Sequence, residues 1–177
     1  MITGKYPSLR MRRNRKKDWA RRLVQENTLS PNDFILPIFI IDGKNKKEVI
    51  QTMPGVYRYT VDRLNQIIDK AIKNRIPMIA LFPKVAQNLK DLKGSEALNE
   101  NNIICKAIQK IKKKYKDEIG IMCDVALDPY TVHGHDGILK NNKILNDDTV
   151  DILVEQALLQ SKMGCDVIAP SDMMDGR

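Results

Sequence analysis

Four short apolar runs at near-equal spacing restrict this chain to a small set of folds. The runs occupy residues 34–41, 76–82, 119–125 and 166–169, so successive runs begin forty-odd residues apart. Each is bounded by charged residues or turn formers, which is typical of buried strands. The intervals are long enough for a crossover helix between parallel strands. The spacing therefore predicts an α/β fold with a parallel sheet.

Amphipathic segments fill the intervals between the runs. Apolar residues at helical spacing predict a helix over residues 62–74 and a second one that opens at Asn99. A third helix is expected to be capped by Asp147 or Asp148 and to stop at Gly164. The residues of this third helix expected to face inward are Val150, Leu153, Val154, Ala157 and Leu158. A short helix over residues 19–25 precedes the first run.

Two α/β architectures fit this alternation. A β/α barrel places its functional residues after the carboxyl ends of its strands, and polar residues collect after the runs here. A doubly wound open sheet gives the same alternation, although no Gly-rich dinucleotide-binding turn follows the first run. Pro37 inside that run favours a strand that is bent or lies at an edge. The spacing alone leaves both architectures open.

A dense group of acids and histidines follows the third run. The segment CDVALDPYTVHGHDG, residues 123–137, carries Asp124, Asp128, His133, His135 and Asp136. Its proline and two glycines keep it from continuing as a helix or a central strand. In an extended loop the two histidines would point to the same side. A polar loop with capping imidazoles would explain a lone histidine, but several titratable groups together favour a functional site.

Two long motifs carry a resemblance to a known family. DVALDPYTVHGHDG at residues 124–137 and VIAPSDMMDGR at residues 167–177 resemble signature segments of the aminolaevulinate dehydratases, also called porphobilinogen synthases. Four shorter matches follow the family's order: MPGV at 53–56, LFP at 81–83, GSEA at 94–97 and NDDT at 146–149. The matches run from near Arg10 to Arg177. So many motifs in family order argue against an accidental resemblance.

The resemblance implies a (β/α)8 TIM barrel, of which this chain supplies about the first four β/α units. A whole barrel has about 250 residues, so the resemblance covers the N-terminal half of the family's chain. The implied division is a basic arm with a short helix at residues 1–30 and half of a barrel at residues 31–177. In the family this arm wraps a neighbouring subunit, which implies a homo-oligomer, an octamer in the family.

The family condenses two aminolaevulinate molecules, with loss of water, into porphobilinogen for tetrapyrrole and haem biosynthesis. Its two Schiff-base lysines lie on later strands and are absent here, so the 177 residues alone are expected to be inactive. Lys84 could be proposed as an amine catalyst, but the family does not use that position. By the resemblance, Asp124 would orient the substrate or transfer a proton, and Ser171 and Asp172 would line the same mouth.

The resemblance also bears on the metal. One branch of the family holds a catalytic zinc with cysteines where this chain has Ala126, Asp128 and Asp136. Thiolates suit zinc, whereas carboxylates and water suit magnesium or a monovalent cation. The chain thus resembles the aspartate-rich, magnesium-responsive branch, with Asp128 and Asp136 as the metal ligands to test. Magnesium, in an allosteric or another role, is the expected ion, a monovalent cation is an alternative, and zinc is not expected.

The net charge of +8 belongs to the N-terminal segment. Residues 1–22 hold nine Lys or Arg and one acid, while the rest of the chain holds 21 basic and 21 acidic residues. A basic arm can bind phosphate backbones or anionic lipid. Only Tyr6 and Trp19 are aromatic in it, which is poor for stacking on single-stranded nucleic acid. We therefore expect an oligomerisation arm and neither a nucleic-acid nor a membrane partner.

Cysteine usage and hydropathy bear on the compartment. Cys105, Cys123 and Cys165 are widely spaced with no CxxC pair, which argues for reduced thiols and against a disulfide framework or a zinc knuckle. Cys123 and Cys165 neighbour strands and are expected to be core residues. No apolar run is long enough to span a membrane, and the N-terminus lacks the apolar segment of a secretory signal. The expected location is the cytoplasm.

Three hypotheses about function remain at this point. The first is the N-terminal part of a porphobilinogen synthase, and it is the one the motifs favour. The second is a non-catalytic half-barrel that binds or assembles with a partner chain, because half a barrel exposes strand edges and apolar surface. The third is a nucleic-acid-binding protein built on the basic arm, for which deletion of residues 1–22 should abolish binding and its salt dependence.

Overall fold

The computed structural model describes residues 4–177, which divide between Ser30 and Pro31 into two compact units. The first three residues of the basic arm lie outside the described residues. The first unit has a 3-10 turn at Met11–Arg15 and one short helix, α1, at Asp18–Leu23. Ala20 is buried within it, whereas Trp19, Leu23 and Leu29 are exposed. This unit therefore presents apolar side chains together with its positive charge.

The second unit is built on a six-stranded, mostly parallel sheet. Its strands lie in the order β2, β3, β1, β4, β5, β8. β1, β3, β4, β5 and β8 are parallel neighbours, and only β2 runs antiparallel, against β3. The six bounds are β1 Ile35–Ile41, β2 Lys47–Val49, β3 Tyr57–Thr60, β4 Met78–Lys84, β5 Gly120–Val125 and β8 Val167–Pro170. The four predicted strands are confirmed as β1, β4, β5 and β8.

Three helices connect the central strands and cover one face of the sheet. They are α2 at Leu64–Lys73, α3 at Ile103–Tyr115 and α4 at Asn146–Lys162. Ile38, Leu81, Cys123 and Ile168 form a cross-strand row on that face, each packed in an apolar cluster. Because side chains alternate along a strand, Asp124 points to the opposite face.

Pro37 is tolerated in β1 because half of this strand has a single neighbour. β1 pairs with β4 along its whole length, from Ile35 to Ile41. β3 reaches only Phe39–Ile41, so no β3 residue pairs with Pro37. The missing N–H of a proline breaks no ladder bond on an unpaired side. The expectation of an edge strand is wrong, because β1 lies between β3 and β4 inside the sheet.

Several helix ends and two further strand pairs differ from the sequence prediction. α3 begins at Ile103 and not at Asn99, because the Asn102 side chain caps it by accepting a hydrogen bond from the Cys105 N–H at 2.8 Å. Asp147 and Asp148 lie inside the first turn of α4 and do not cap it. The prediction also missed the pair β2/β3 and a small hairpin, β6 at Ile138–Lys140 and β7 at Lys143–Leu145.

The predicted inward face of α4 is wrong in part. Leu153 is buried as expected, but Val154 and Leu158 are 52% and 65% exposed. The buried stripe instead contains Gln156 and Gln160. The helix is therefore rotated relative to its most apolar face, because its buried side meets backbone carbonyl groups of the β5 strand end.

Among residues 4–177, no helix is long and apolar enough to cross a membrane.

Candidate active site at the carboxyl ends of the strands

The carboxyl ends of β4, β5 and β8 lie side by side along one edge of the sheet. β5 ends at Val125, which pairs with Pro170 of β8, and the Ser171 N–H donates to the Val125 carbonyl at 3.0 Å. This bond extends the β5/β8 pairing by one step beyond β8. The sequence motifs at residues 124–137 and 167–177 are thus brought together, as expected for functional residues that follow parallel strands.

Asp124 is a carboxyl whose pKa is strongly altered by this setting. Its side chain is half-buried near the end of β5. Burial first, and then the negative charges of Asp128 and Asp136, raise the pKa of the Asp124 carboxyl to about 6. A carboxyl with such a pKa exchanges protons near neutral pH, which is what a general acid or base requires.

Asp128 and Asp136 lie near Asp124 in the loop that follows β5. Burial and the charge of Asp136 raise the pKa of Asp128, and Lys90 opposes this rise. Both aspartates are half-buried. Across residues 4–177, however, no three His, Cys, Asp or Glu side chains are grouped closely enough to hold a metal ion. Any metal bound here would need ligands beyond these two carboxylates.

Ser171 and Asp172 have different environments although they are adjacent. Ser171 is exposed at the sheet edge. The Asp172 side chain is fully enclosed, and its Oδ1 accepts from the Met174 N–H at 2.7 Å and from Arg177 at 3.2 Å. Its Oδ2 is buried and has no hydrogen-bond partner within residues 4–177. Asp172 therefore shapes the turn after β8, while Ser171 faces the open edge.

The two histidines lie close together in the β5 loop. Their ring centroids are 5.6 Å apart, and the His133 Nδ1 accepts from the His135 N–H at 3.1 Å. Because Nδ1 is an acceptor, the neutral His133 ring carries its proton on Nε2. That Nε2 is buried without a partner in the described part of the chain. The Thr131 hydroxyl donates to the His135 carbonyl at 3.1 Å and fixes the loop between them.

The loop after β4 is joined to the β5 loop through its main chain. Asp91 forms a parallel bridge with Thr131, in which the Asp91 N–H donates to the Tyr130 carbonyl and the Val132 N–H donates to the Asp91 carbonyl. The Asp91 carboxylate also accepts from the Lys93 and Ser95 amides. Two loops that rise from neighbouring strands therefore form one connected rim.

Lys84 ends β4 and is held as a charged surface group. Its Nζ forms an ion pair with Glu48 at 3.0 Å, and its side chain is 53% exposed. Arg58 binds the same Glu48 oxygen at 2.8 Å. An amine catalyst needs an apolar pocket that removes its charge. The surroundings of Lys84 are the opposite, which argues against an amine catalyst at this position.

No sequence motif identified the polar residues by which α4 binds the main chain of the site loop. The Gln160 side-chain amide donates to the Asp124 carbonyl at 2.9 Å, and that of Gln156 donates to the Ala126 carbonyl at 3.3 Å. The Thr149 hydroxyl accepts from the Ile138 N–H at 2.9 Å. The only sequence signal for these three residues is their helical spacing, at 149, 156 and 160. This spacing places them on the same face of the helix as the apolar Leu153.

The three cysteines have free thiols. Cys105 and Cys123 are fully buried, and burial raises the pKa of Cys105 to about 11. A hydrogen bond with Cys165, followed by burial, raises the pKa of the Cys123 thiol. Cys123 packs in the apolar core, and Cys165 lies partly buried against it. These positions agree with the expectation of reduced core residues.

Comparison with known proteins gives this arrangement a family. The family model of delta-aminolevulinic acid dehydratase matches residues 8–177. The delta-aminolevulinic acid dehydratase of Bradyrhizobium diazoefficiens is 56% identical over 170 residues, which are 96% of this chain and 48% of that protein. The enzyme of the same name from Chlamydia pneumoniae is 45% identical over 170 residues, 96% of this chain and 51% of the relative.

A solved structure has the same fold over nearly the whole chain. It is the delta-aminolevulinic acid dehydratase (porphobilinogen synthase) of Toxoplasma gondii in complex with the reaction product porphobilinogen. The TM-score is 0.88 at 40% identity, over 96% of this chain and 48% of that one. The chain thus spans about half the length of each of these three proteins. By its sequence and its fold, this chain belongs to the delta-aminolevulinic acid dehydratase family.

Proposed function

We propose that this chain is the N-terminal half of a porphobilinogen synthase, which condenses two aminolaevulinate molecules with loss of water to form porphobilinogen. The observation that carries the proposal is the half-buried Asp124 at the end of β5, with a pKa near 6, inside the family's signature segment. The product-bound relative with the same fold supports the choice of ligand. The pathway served is tetrapyrrole and haem biosynthesis.

Asp124 is the residue proposed to handle protons. At neutral pH a carboxyl with a pKa near 6 is mostly ionised but takes up a proton readily, so it can accept a proton from a substrate carbon or amine and return it. Ser171 offers an exposed hydroxyl at the adjoining end of β8, and Asp172 keeps the turn that carries Ser171 in place. The Schiff-base lysines come from the half of the family's chain that this sequence does not include.

The parallel sheet is proposed to be half of a TIM barrel. β1, β4 and β5 with the helices α2, α3 and α4 supply three β/α units in barrel order, and β8 supplies the strand of a fourth. β8 lies at an edge of the sheet, where a fifth barrel strand would pair. Completion of the barrel would enclose the face to which Asp124 points, and closure excludes water from the chemistry.

Asp128 and Asp136 are proposed to bind magnesium. Both offer hard carboxylate oxygens, and the neighbouring position 126 offers only a buried methyl group, so the soft thiolates that favour zinc are absent from this set. Magnesium keeps several waters and is often held by one or two carboxylates, which fits the two carboxylates proposed here. A bound cation would lower the pKa of Asp128, and a monovalent cation is the alternative.

The N-terminal arm is proposed to assemble the protein into a homo-oligomer. Its exposed Trp19, Leu23 and Leu29 give apolar anchors, and its arginines give charge, a combination typical of subunit contacts. Deletion of residues 1–30 should reduce the sedimentation coefficient of the assembled protein, whereas a salt-dependent affinity for nucleic acid lost on the same deletion would support the competing role. The free thiols fit a reducing compartment such as the cytoplasm.

The activity can be tested by completing the chain. A fusion of residues 1–177 to the carboxyl-terminal half of the Bradyrhizobium diazoefficiens relative should form porphobilinogen in a colorimetric assay. The assay is run once with magnesium added and once with magnesium chelated. Asp124→Asn in this fusion should lower kcat by about 100-fold or more, because it removes the proton-transfer group. The two halves alone are the controls. A folded fusion that makes no product, or that tolerates Asp124→Asn, would contradict the proposal.

A second candidate function is supported by the edge position of β8. An unpaired parallel edge strand invites another strand, so the 177-residue chain alone could act as a non-catalytic module that assembles with a partner. Sedimentation of the purified chain distinguishes the cases. A stable, defined assembly without porphobilinogen synthesis in the fusion would favour this second function.

A further inference from the structure

α4 buries three polar residues beside Leu153 and Leu159 and leaves other apolar residues exposed, a pattern that burial of apolar surface alone does not favour. Gln156 and Gln160 are only 1% and 2% exposed, and Thr149 on the same stripe is fully buried. Val154 and Leu158 on the same helix stay more than half exposed. The orientation of this helix is therefore set by what its polar side chains bind.

Each buried polar group of α4 holds main chain at one end of the β5 loop. Gln160 donates to the carbonyl of Asp124 at 2.9 Å, and Gln156 donates to the carbonyl of Ala126 at 3.3 Å. Thr149 accepts from the Ile138 N–H at 2.9 Å, where the loop ends in β6. Side chains of α4 thus form hydrogen bonds with both ends of the β5 loop.

Each of the two glutamines donates a side-chain hydrogen bond to the loop, but its own side-chain oxygen accepts none within the described residues. The Oε1 atoms of Gln156 and Gln160 are both buried, and neither has a hydrogen-bond partner among the described residues. A buried acceptor without a donor is unfavourable, and methionine would fill a similar volume without it. The benefit of each glutamine is therefore confined to the hydrogen bond that it donates to the end of β5 and its loop.

We propose that Gln156 and Gln160 are positioning residues, whose carboxamides fix the carboxyl end of β5 and so determine where the Asp124 side chain stands in the site. Gln160 binds the carbonyl of Asp124 itself, and Gln156 prevents the next turn of main chain from moving outward. Thr149 holds the far end, so that Asp128 and Asp136 remain near Asp124. This role rests on the proposed function of Asp124 as the proton-transfer group.

The test follows the titration of Asp124 in the 177-residue chain by carboxyl 13C NMR. Gln160→Met removes the donor and keeps the volume. We expect the apparent pKa of Asp124 to fall by about 0.5–1 unit, because a released strand end moves the carboxyl toward water and away from Asp128 and Asp136. The 13C shift of the Asp124 carbonyl should change in the same variant. Gln156→Met should give a smaller fall, since its hydrogen bond is longer.

Leu153→Ala is the matched control. Leu153 is buried on the same stripe, but it donates no hydrogen bond to the loop, so this variant should lower Tm while leaving the Asp124 titration unchanged. The proposal is overturned if Gln160→Met folds and titrates like the wild type, or if Leu153→Ala moves the titration equally. It is also overturned if both methionine variants unfold while Leu153→Ala folds, because the glutamines then hold the fold only.

This readout needs no turnover. Failure of the positioning role would appear in the titration, whereas failure of the proposed function would appear as a folded fusion without porphobilinogen synthesis.

Discussion

α3 and α4 cover neighbouring parts of one sheet face with different chemistry. α3 buries apolar groups along its inward stripe, among them Ile104, Ile108 and Ile111. α4 buries Thr149, Gln156 and Gln160 together with two leucines. α3 meets strand interiors whose main chain is already paired, whereas α4 meets the point where β5 ends and its carbonyls need donors.

The difference separates stabilisation from positioning within one layer of helices. Apolar burial gives α3 a large, non-directional contribution to folding. Hydrogen bonds give α4 a smaller net contribution, but they fix the direction of the groups they hold. If this comparison is right, substitutions under α3 should change stability most, and substitutions under α4 should change the site loop more than the fold.

The largest expected effect lies under α3. Ile108→Ala should lower the free energy of unfolding by about 3 kcal/mol, because a fully buried isoleucine leaves a cavity. Urea denaturation measures it. Lys113→Ala, on the exposed side of the same helix, should stay within about 0.5 kcal/mol of the wild type. Equal effects at the two positions would show that α3 is not packed as described.

A clash beside α4 comes next. A Cβ at Gly137 would stand 2.7 Å from the Ile144 Cγ2 and 2.8 Å from the Thr149 Oγ1. Gly137→Ala should therefore destabilise the fold by about 2 kcal/mol through overpacking. Gly134→Ala meets nothing within 4 Å and is strained only by its φ of +70°, so about 1 kcal/mol is expected. A larger loss at Gly134 would mean that the loop tip, not its base, is the tightly packed part.

Thr149→Val should cost about 1.5 kcal/mol, because the buried N–H of Ile138 loses its acceptor. The change should be local, so amide hydrogen exchange at Ile138 is the sharper measurement. Thr149→Ser keeps the hydroxyl and should leave that amide protected. If valine and serine give the same exchange rate, the hydroxyl does not anchor the loop and the contrast between α3 and α4 weakens.

The smallest effect is a stabilisation. Burial raises the pKa of Asp124 from 3.8 to about 6, so the folded state favours the protonated carboxyl, and this contribution is lost as pH rises from 3.8 through 6. Asp124→Asn should therefore stabilise the chain at pH 8 by about 1 kcal/mol, after allowance for solvent screening of a partly exposed group. The gain should vanish below pH 4. Denaturation at both pH values checks it, and a gain independent of pH would exclude titration as its cause.

The strands that the sequence predicted share one property. Runs such as residues 119–125 alternate between buried and half-buried residues, and their mostly apolar composition marks them clearly. β2 and β3 carry charged residues such as Lys47 and Arg58 and are too short for a period to show. The hairpin had a usable signal, since Asn141 and Asn142 both adopt positive φ, as tight hairpin turns require.

The candidate site likewise contains residues that the sequence identified and residues that it did not. Sequence motifs identified Asp124, Asp128 and Asp136, which the fold places near one another. They did not identify Gln156 and Gln160, because valines and leucines at 150, 154 and 158 offered a competing apolar stripe at the same helical period. Only the β5 carbonyls, which no local pattern reveals, decide which stripe turns inward.

The bridge between Asp91 and Thr131 has a mechanical consequence. The two loops are joined by main-chain hydrogen bonds. Neither loop can move outward alone without breaking the hydrogen bonds that the Asp91 and Val132 N–H groups donate. The two loops are expected to open and close as a single flap hinged on β4 and β5. A disturbance of the loop after β4 would then be transmitted to the loop after β5 through the main chain, without any contact between their side chains.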